Sequence, residues 1–474
     1  MNGALLTFCI YTLAVFGLAA LSSRLLKSRS FLSEYFLGSR GLGFWALALT
    51  FAATSASGGT FTGYPALIYT HGWTLALWIA SYMVFPICTM GLLGKRINQV
   101  ARRTGAITVP DILRDRFNSR SFGLLATVLL IFFTCVNLVS QFKAGSVILK
   151  TLLKSNEGFQ WLTVMVGDSI AGVAWLGGVD PGYLICLLCF GVAVILYTTW
   201  GGFHAVVWTD VMQGVVMVTG VVIMLPLALS QVGGMQRATT ELASMIPPRS
   251  AELTLDVPAG QACRSGTWLQ VQGRVFRTSE PWDSALPPES VRAIEIVDAG
   301  DLERIAGSDE IVFSSEFAIA DIVESTPAAF PADERPGAYV SAPGPSASDV
   351  DGFLPLSLAF SMFFFWAIAG TGQPGSMVRL MAFRDTKTLR YSIATVAIYY
   401  SLIYFPLVII FCCARLLLPG MEVEADRVMP QMAITLTENA GVGWLAGVLV
   451  AAPFAAVMSC SSCLGMGPCS LAIG

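Results

Sequence analysis

Charged side chains and histidines are scarce in this chain of 474 residues. Only 12% of the residues are charged, and His71 and His204 are the two histidines. No Walker loop, dinucleotide fingerprint, H-E-x-x-H pair or nucleophile elbow occurs in a supporting context, so the sequence predicts that the chain is not an enzyme. Cys460 and Cys463 form a lone C-x-x-C pair, which favours helix packing over a metal or redox role. We expect no nucleic-acid partner.

Apolar residues, by contrast, make up 55% of the chain, which is typical of a polytopic membrane protein. Nine stretches approach the roughly 20 residues that a membrane-spanning helix needs. They lie at about 3–24, 43–71, 73–94, 122–149, 182–200, 207–231, 352–377, 391–418 and 441–466. A tenth stretch, 160–177, contains Asp168 and is interpreted as an interfacial or re-entrant helix.

The distribution of Lys and Arg predicts the orientation. No basic residue precedes the first stretch, whereas Arg24, Lys27 and Arg29 follow it, which favours a retained span with its N-terminus outside. With that orientation, 15 of the 28 basic residues fall in cytoplasmic loops. The sequence therefore predicts a multi-pass protein of the plasma (inner) membrane, in contact with the lipid bilayer.

Three regions are predicted along the chain: a membrane domain at 1–232, an insertion at 233–351 and a second membrane domain at 352–474. The insertion holds 19 acidic residues and eight arginines, a net charge of −11. Alternating runs at 271–276, 291–296 and 311–317 predict a small β-rich domain. Residues 326–348, rich in Pro, Ala and Ser, indicate a linker. Counting spans from the N-terminus places the insertion outside the cell.

The stretch from Leu42 to Thr70 is apolar at both ends but small, hydroxylated and glycine-rich in the middle, at 53–60. Two adjacent glycines lower helix propensity, and Ser and Thr offer competing hydrogen bonds to the backbone. Unwound backbone within a membrane is tolerated where it lines a cavity, and its carbonyls can then bind a cation or substrate. Close packing of two helices is the other open interpretation.

Asp210 opens the sixth stretch, after a short turn predicted at 200–204. A carboxylate within a span indicates a functional group and is a natural ligand for a small cation. The alternative is a structural carboxylate favoured by a helix N-terminus. Ser459 and Ser462 lie on one face of the ninth stretch, where they fit either helix packing or an ion site.

Lys143 lies in the fourth stretch, about two helical turns before Lys150. Its side chain either extends to the outer membrane surface or faces a central cavity, where it would pair with Asp210 or with an anionic substrate. Asn137 and Gln141 are candidates for neutral hydrogen bonds in the same cavity.

Six motifs in order give the chain a resemblance to the sodium/solute symporter family, which includes proline and pantothenate permeases and sodium/glucose transporters. The motifs are EYFLGSR at 34–40; ASG at 56–58 with GYPA at 63–66; TVPD at 108–111 with RF at 116–117; YTTWGG at 197–202 with WTD at 208–210 and Gln213; GQP at 372–374 with Arg379; and AVMS at 456–459. The resemblance covers the nine stretches and their loops but not the insertion.

The resemblance implies an all-α membrane protein of the leucine-transporter type, in which a leading helix precedes two inverted five-helix repeats and a binding site at the membrane midplane. It implies a first sodium site formed by Ala53, Ala56, Ala456, Ser459 and Cys460. It also implies a second sodium site at Asp210, Ser459 and Ser462. Position 460 is usually Ser or Thr in the family, and a thiol is a poor ligand for hard Na⁺. Ser57, Gly58, Asn137, Gln141, Lys143 and Gln373 are the candidate substrate-binding residues.

The implied function is sodium-coupled transport of a small organic solute by alternating access, with Na⁺ as the coupling ion and no organic cofactor. Only three helices of the second repeat are evident, so we also expect a truncated repeat. Two alternatives remain open: a non-transporting receptor with a transporter-like core, favoured by the insertion, and an inactive fragment, favoured by the missing helices. If Lys143 faces the cavity, the solute carries a carboxylate.

Overall fold

A computed structural model describes most of the chain. The described residues are 3–23, 42–170, 172–173, 179–256, 262–263, 265–271, 273–280, 282–283, 291–306, 311–313, 318–327, 336–343, 355–369 and 372–473. Side chains are described within these ranges except at 77, 197, 199–205, 254–256, 262–263, 282–283, 311–313, 318–327, 369 and 462–473. The motif at 34–40 and the basic residues at 24–40 lie outside the described residues.

Helices dominate the fold. In chain order they are α1 Gly3–Ser23, α2 Phe44–Ser55, α3 Tyr64–His71, α4 Ala76–Pro86, α5 Lys95–Thr104, α6 Val109–Phe117, α7 Arg120–Leu153, α8 Glu157–Ile170, α9 Pro181–Val232, α10 Met235–Ser244, α11 Ala299–Ala306, α12 Leu356–Phe364, α13 Pro374–Ala382, α14 Thr386–Leu417, α15 Val428–Asn439 and α16 Ala446–Ile473. Single π-helical segments, Gly59–Gly63 and Ile87–Gly94, lead into α3 and α5.

The predicted apolar stretches coincide with apolar helices. Among the described residues, six helical segments are long and apolar enough to cross a bilayer, and three further apolar helical segments are shorter. The shorter ones, Phe44–Ser55, Pro181–Leu196 and Leu356–Ile368, lie in the second, fifth and seventh predicted stretches. The prediction of a mostly helical, multi-pass integral membrane protein is confirmed. Helix α8, which overlaps the predicted interfacial stretch, has no fully buried residue.

Helix α9 is helical from Pro181 to Val232, but it does not run straight. The ring of Phe190 lies 5.5 Å from that of Phe454, and a Cβ built on Gly220 would lie 2.7 Å from the Cβ of Ala452. Thirty residues of straight helix would separate positions 190 and 220 by about 45 Å. The chain must therefore reverse direction between them, as the turn predicted at 200–204 requires.

Contacts between the ends of helices define two faces of the helical bundle. On the basic face, formed by residues 95–120 and 383–390, Asn98 and Arg102 donate to the carbonyls of Met381 (3.1 Å) and Phe383 (2.9 Å). On the opposite insertion face, Lys150 Nζ contacts Asp180 at 2.5 Å. Ten of the described Lys and Arg residues lie in the two segments of the basic face.

The insertion contains a six-stranded sheet, which confirms the predicted β-structure. Its strands are β1 Arg249–Asp256, β3 Trp268–Val271, β4 Arg274–Thr278, β6 Val291–Ile296, β7 Ile311–Phe313 and β8 Ala318–Pro327, and β2 Ala262–Cys263 pairs separately with β5 Trp282–Asp283. The strand order is β7-β3-β4-β6-β1-β8, and only the β3–β7 pair is parallel among the pairs described. The alternating run predicted at 271–276 is not one strand: it begins at the last residue of β3 and ends within β4. The boundaries of the three predicted regions stay a prediction.

The insertion docks on the helices through a buried arginine at the end of α14. Arg415 is 1% exposed, and its guanidinium lies 2.9 Å from Asp301 of α11 and 3.3 Å from Glu422. Its Nε donates to the Tyr339 hydroxyl at 3.0 Å. The same guanidinium lies over the ring of Tyr69, on α3, at 5.3 Å. One side chain thus joins the insertion, the end of α14 and α3.

Candidate functional site

The second predicted stretch is interrupted, as its sequence predicts. Helix α2 ends at Ser55, and Ala56 is extended, with φ −76° and ψ 110°. The Ser57 N–H, which a continuous helix would direct to the Ala53 carbonyl, instead donates to Thr60 Oγ1 at 3.3 Å. The helix resumes at Gly59 as a π-helical segment. The break therefore releases backbone carbonyls at Ala53 and beyond from their usual helical partners.

Gly58, at the break, packs closely against two other helices. Its N–H donates to Gln141 Oε1 on α7 at 2.8 Å. A Cβ at position 58 would lie 2.7 Å from Ala144 Cβ and 3.4 Å from Val457 Cγ2 on α16. Only glycine fits this close approach of three helices. The structure thus brings together Gly58 and Gln141, two predicted substrate-binding residues, beside the α16 segment that carries Ala456, Ser459 and Cys460.

Tyrosines form the wall next to the break, and sequence reasoning missed them. The ring centroids of Tyr82 and Tyr404 lie 4.4 Å apart, and Tyr64 lies 5.4 Å from Tyr82. Tyr404 OH and Thr60 Oγ1 are 3.3 Å apart. Tyr400 and Trp366 complete the cluster, at 5.3 Å from Tyr404 and 5.0 Å from Tyr82. The i, i+4 spacing of Tyr400 and Tyr404 within an apolar helix is the signal that could have found them.

Three buried hydroxyl groups at or near this wall remain unsatisfied. Tyr64 OH, Tyr400 OH and Ser461 Oγ have no hydrogen-bond partner among the residues that the structure describes. Buried polar atoms without a protein partner are uncommon in folded proteins, and where they occur they often face a ligand, an ion or water. Together with the aromatic rings, they make this region suited to a small solute with polar groups and a flat or apolar body.

Asp210 lies fully buried at the centre of a polar network. Its Oδ1 accepts from Ser459 Oγ at 2.5 Å, and its Oδ2 accepts from Thr50 Oγ1 at 2.5 Å. Arg379 Nη2 lies 2.7 Å from Oδ2, and Arg379 Nε donates to Thr50 Oγ1 at 2.8 Å. Arg379 is itself 2% exposed. The carboxylate is therefore neutralised by an arginine that the sequence identified only as part of a motif.

This network links the two predicted sodium sites. Ser459 belongs to both predicted sites, and the structure directs its hydroxyl to Asp210. Ala53, Ala56, Ala456 and Cys460 are all buried, with exposures of 0 to 2%. The side chain of Ser462, the remaining predicted ligand, lies outside the described residues. The roles of these residues as sodium ligands stay predictions.

The side chain of Lys143 is exposed and pairs with Asp426. Its Nζ contacts Asp426 Oδ2 at 2.6 Å, and the two side chains are 61% and 43% exposed. The hypothesis of a pair with Asp210 is wrong, because Arg379 occupies that position. The interpretation in which Lys143 extends to the insertion face fits this contact, since Asp426 follows α14 there.

The remaining predicted substrate residues are dispersed. Asn137 is exposed, and its Oδ1 accepts from Gln141 Nε2 at 3.0 Å, so it orients Gln141. Gln373 Oε1 accepts from Ser376 Oγ at 3.2 Å, a contact within its own helix. Ser57 is partly buried within the break. The roles of these residues in substrate binding stay predictions.

Both the sequence and the fold are similar to those of known proteins. The sequence profile of the Sodium:solute symporter family matches residues 35–167, 163–271 and 347–472. The Escherichia coli sodium/pantothenate symporter is 31% identical over 268 residues, 56% of this chain and 48% of that protein. The Vibrio parahaemolyticus sodium/glucose cotransporter is 27% identical over 219 residues, 46% of this chain and 35% of that protein. The chain spans half or less of the length of these curated relatives.

A solved structure shares the fold. It is that of a Na⁺-coupled sialic acid symporter in a substrate-bound, outward-open state, with a TM-score of 0.56 and 18% sequence identity. The match covers 99% of this chain and 72% of the other. The family is one of transporters rather than enzymes. From its sequence and fold, the chain belongs to the sodium:solute symporter family.

Proposed function

We propose that the chain is a sodium-coupled symporter of a small organic solute that works by alternating access. The observation that carries the proposal is the interrupted second stretch. Its break at Ala56–Ser57 lies beside the hydroxyl-bearing helix α16 and the tyrosine cluster. Broken helices of this kind present backbone carbonyls to ions and substrates in secondary transporters.

The sodium site is proposed at the carbonyls of Ala53, Ala56 and Ala456 with the hydroxyl of Ser459. These are hard oxygen donors, which suit Na⁺, whereas the thiol of Cys460 does not. Asp210 would lie behind this site, and its link to Ser459 would couple ion binding to the Arg379 network. A second sodium ion at Asp210 would have to compete with the Arg379 guanidinium.

The solute is proposed to bind between the break and the tyrosine cluster. Gly58 and Gln141, bonded to each other, would shape one side of the site, the hydroxyls of Tyr64 and Ser461 would provide polar contacts, and Tyr82 and Tyr404 would provide aromatic surface. Sodium binding would stabilise the conformation that binds solute. The size of this effect would be the difference between the affinities of Na⁺ for that conformation and for the other one.

The finer architecture is proposed from the same fold. Helices α2 to α9 would form the first inverted repeat, α1 the leading helix, and α12 onwards the start of the second repeat. The basic face would lie in the cytoplasm, which places the insertion outside. In a variant whose native cysteines are replaced, a cysteine introduced at the exposed position of Glu280 in the insertion should react with a membrane-impermeant maleimide in intact cells. Reaction only after lysis would contradict this orientation.

A non-transporting receptor is the second candidate, favoured by the docking of the insertion through Arg415. Uptake of labelled solute into proteoliposomes that is driven by a sodium gradient distinguishes the two functions. Specific binding without sodium-driven uptake would favour the receptor.

The first test is thermal unfolding of the purified chain, with NaCl titrated against choline chloride at constant ionic strength. A ligand that binds only the folded state stabilises it by mass action, so a saturable, sodium-specific increase in midpoint is expected. Cys460→Ser, which replaces a thiol by a hydroxyl, should lower the apparent sodium dissociation constant about tenfold or more, and Asp210→Asn should raise it.

Thr108→Ser, far from the break in the cap of α6, is the matched control and should leave the dissociation constant unchanged. A wild-type chain without a sodium-specific shift, together with a Cys460→Ser variant that also lacks one, would contradict a formed sodium site.

A further inference from the structure

A cleft of about 540 Å³ lies where the insertion meets the helices on the insertion face. Trp268, Arg277 and Arg304 of the insertion form one wall. The end of α14 and the segment 419–431 form the other. This cleft is separate from the tyrosine cluster and the Asp210 network, and neither the transport proposal nor the family relationship assigns it a role.

The cleft is basic although the insertion is strongly acidic. Among the residues that the structure describes, its lining has one carboxylate, that of Glu424, and four basic side chains. They are Lys154, Arg277, Arg304 and Arg427. Two of them come from the insertion, whose net charge is −11, and two come from the helical bundle. Positive charge from both sides of the joint is thus concentrated in one place.

Glu424 is shared between two arginines. Arg427 Nη1 lies 2.6 and 2.7 Å from its two oxygens, and Arg277 Nη2 lies 3.4 Å from Oε2. Both guanidiniums are largely shielded from solvent, with 16% and 11% of their side chains exposed. Arg304, by contrast, already pairs with Asp301 and Glu241, each at 3.1 Å. Glu424 carries one negative charge against the two guanidiniums that it contacts, so an additional anion is favoured beside Arg277 and Arg427.

The wall beside these charges is apolar. The Arg277 guanidinium lies 5.2 Å from the Trp268 ring centroid. A Cβ at Gly420 would lie 2.3 Å from Trp268 Cη2, so the indole is fixed against the chain that follows α14. Ile305 and Leu416 also line the cleft. An anion bound here would meet arginine forks at one end and an apolar surface at the other.

We propose that this cleft binds a small organic anion, with a carboxylate or phosphate group and an apolar body. Because each wall belongs to a different region, the bound anion bridges the insertion and the helical bundle. It therefore stabilises the docked insertion. The same chemistry is available from a free solute or from the headgroup of an anionic lipid.

The test uses the purified full chain and benzoate as the probe, with benzamide as its neutral isostere, at constant ionic strength. Benzoate should raise the thermal midpoint saturably, and benzamide should not. Lys154→Gln, which alters an exposed lysine at the end of α7, should weaken the apparent affinity for benzoate about tenfold, and Arg304→Gln should do the same. Arg292→Gln, on the exposed surface of β6, is the matched control and should leave the affinity unchanged.

Equal shifts with benzoate and benzamide, or unchanged benzoate affinity in both cleft variants, would overturn the proposal. Nanodiscs distinguish the two sources of the anion. Weaker benzoate binding in phosphatidylglycerol than in phosphatidylcholine identifies a lipid headgroup as the occupant, and equal binding identifies a free solute. The sodium titration with Cys460→Ser is independent of the cleft, so failure of one proposal leaves the other intact.

Discussion

Arg379 shows how a single residue ties the break to the rest of the bundle. It bonds to Asp210 on α9, to Thr50 on α2 and to the Gly375 carbonyl on its own helix. Two ionised groups removed from water are stable only when each keeps its partner. The network therefore holds α2, α9 and α13 in a fixed arrangement next to the proposed sodium site.

We expect Arg379→Met to lower the free energy of unfolding by about 3–5 kcal/mol, because Asp210 is left buried without its counterion. The double variant Arg379→Met/Asp210→Asn should recover a large part of this loss, since no unpaired charge remains. Unfolding by sodium dodecyl sulfate titration measures both. Lys143→Met, which removes an exposed ion pair, is the control and should change the value by at most about 1 kcal/mol. A double variant no more stable than Arg379→Met would contradict this account.

The sequence predicted Asp210 as functional but not its partner. A carboxylate within an apolar helix is conspicuous in any single sequence. Arg379 follows a predicted span, a position that predicts a cytoplasmic positive charge. Its burial depends instead on the contact with Asp210, which lies 169 positions earlier in the chain. The same limit applies to Lys143, where local sequence left two directions open and the contact with Asp426 decided between them.

At the scale of elements, the break was predictable and its packing was not. Adjacent glycines and hydroxyl groups mark positions where a helix is weak. The contacts of Gly58 with Ala144 and Val457 are not encoded locally. The turn at 200–204 was likewise predicted, and α9 reverses direction there, although the side chains at 199–205 lie outside the described residues.

Gly58→Ala should lower the free energy of unfolding by about 1–3 kcal/mol, because the added methyl group overlaps Ala144 Cβ and crowds Gln141 Oε1. Gly63→Ala is the matched control in the same segment, since a Cβ there meets no atom within 4 Å, and it should be neutral or slightly stabilising. Chemical denaturation in detergent compares the two. Similar losses in both variants would show that helix propensity, not close packing, selects glycine at position 58.

At the scale of the whole molecule, the insertion and the bundle share one buried cluster around Arg415. Composition predicted an acidic, β-rich insertion but gave no sign that it docks. Docking depends on Tyr339 and Asp301 reaching an arginine at the end of a membrane helix. Because Tyr69 belongs to α3, the cluster also contacts the part of the interrupted helix that follows the break.

Arg415→Met should release the insertion, because Asp301 and Glu422 lose the cation that compensates their burial. Hydrogen exchange should become faster in residues 336–343 and in 64–75, while strands β4 and β6 keep their protection. Arg292→Met, an exposed arginine of the same sheet, should change neither. Unchanged exchange at 64–75 would show that docking does not restrain α3.

The position of Arg415 in the chain also sets an order of events during synthesis. Asp301 and Tyr339 leave the ribosome before α14 does, and domains form in the order in which they emerge. The insertion is therefore synthesised before its arginine partner, and the contacts of Asp301 and Tyr339 with Arg415 form only after α14 has been made. We expect a ribosome-arrested chain ending near residue 400 to carry a folded insertion that proteases separate readily. Acquisition of protease resistance would then report that α14 has reached its place.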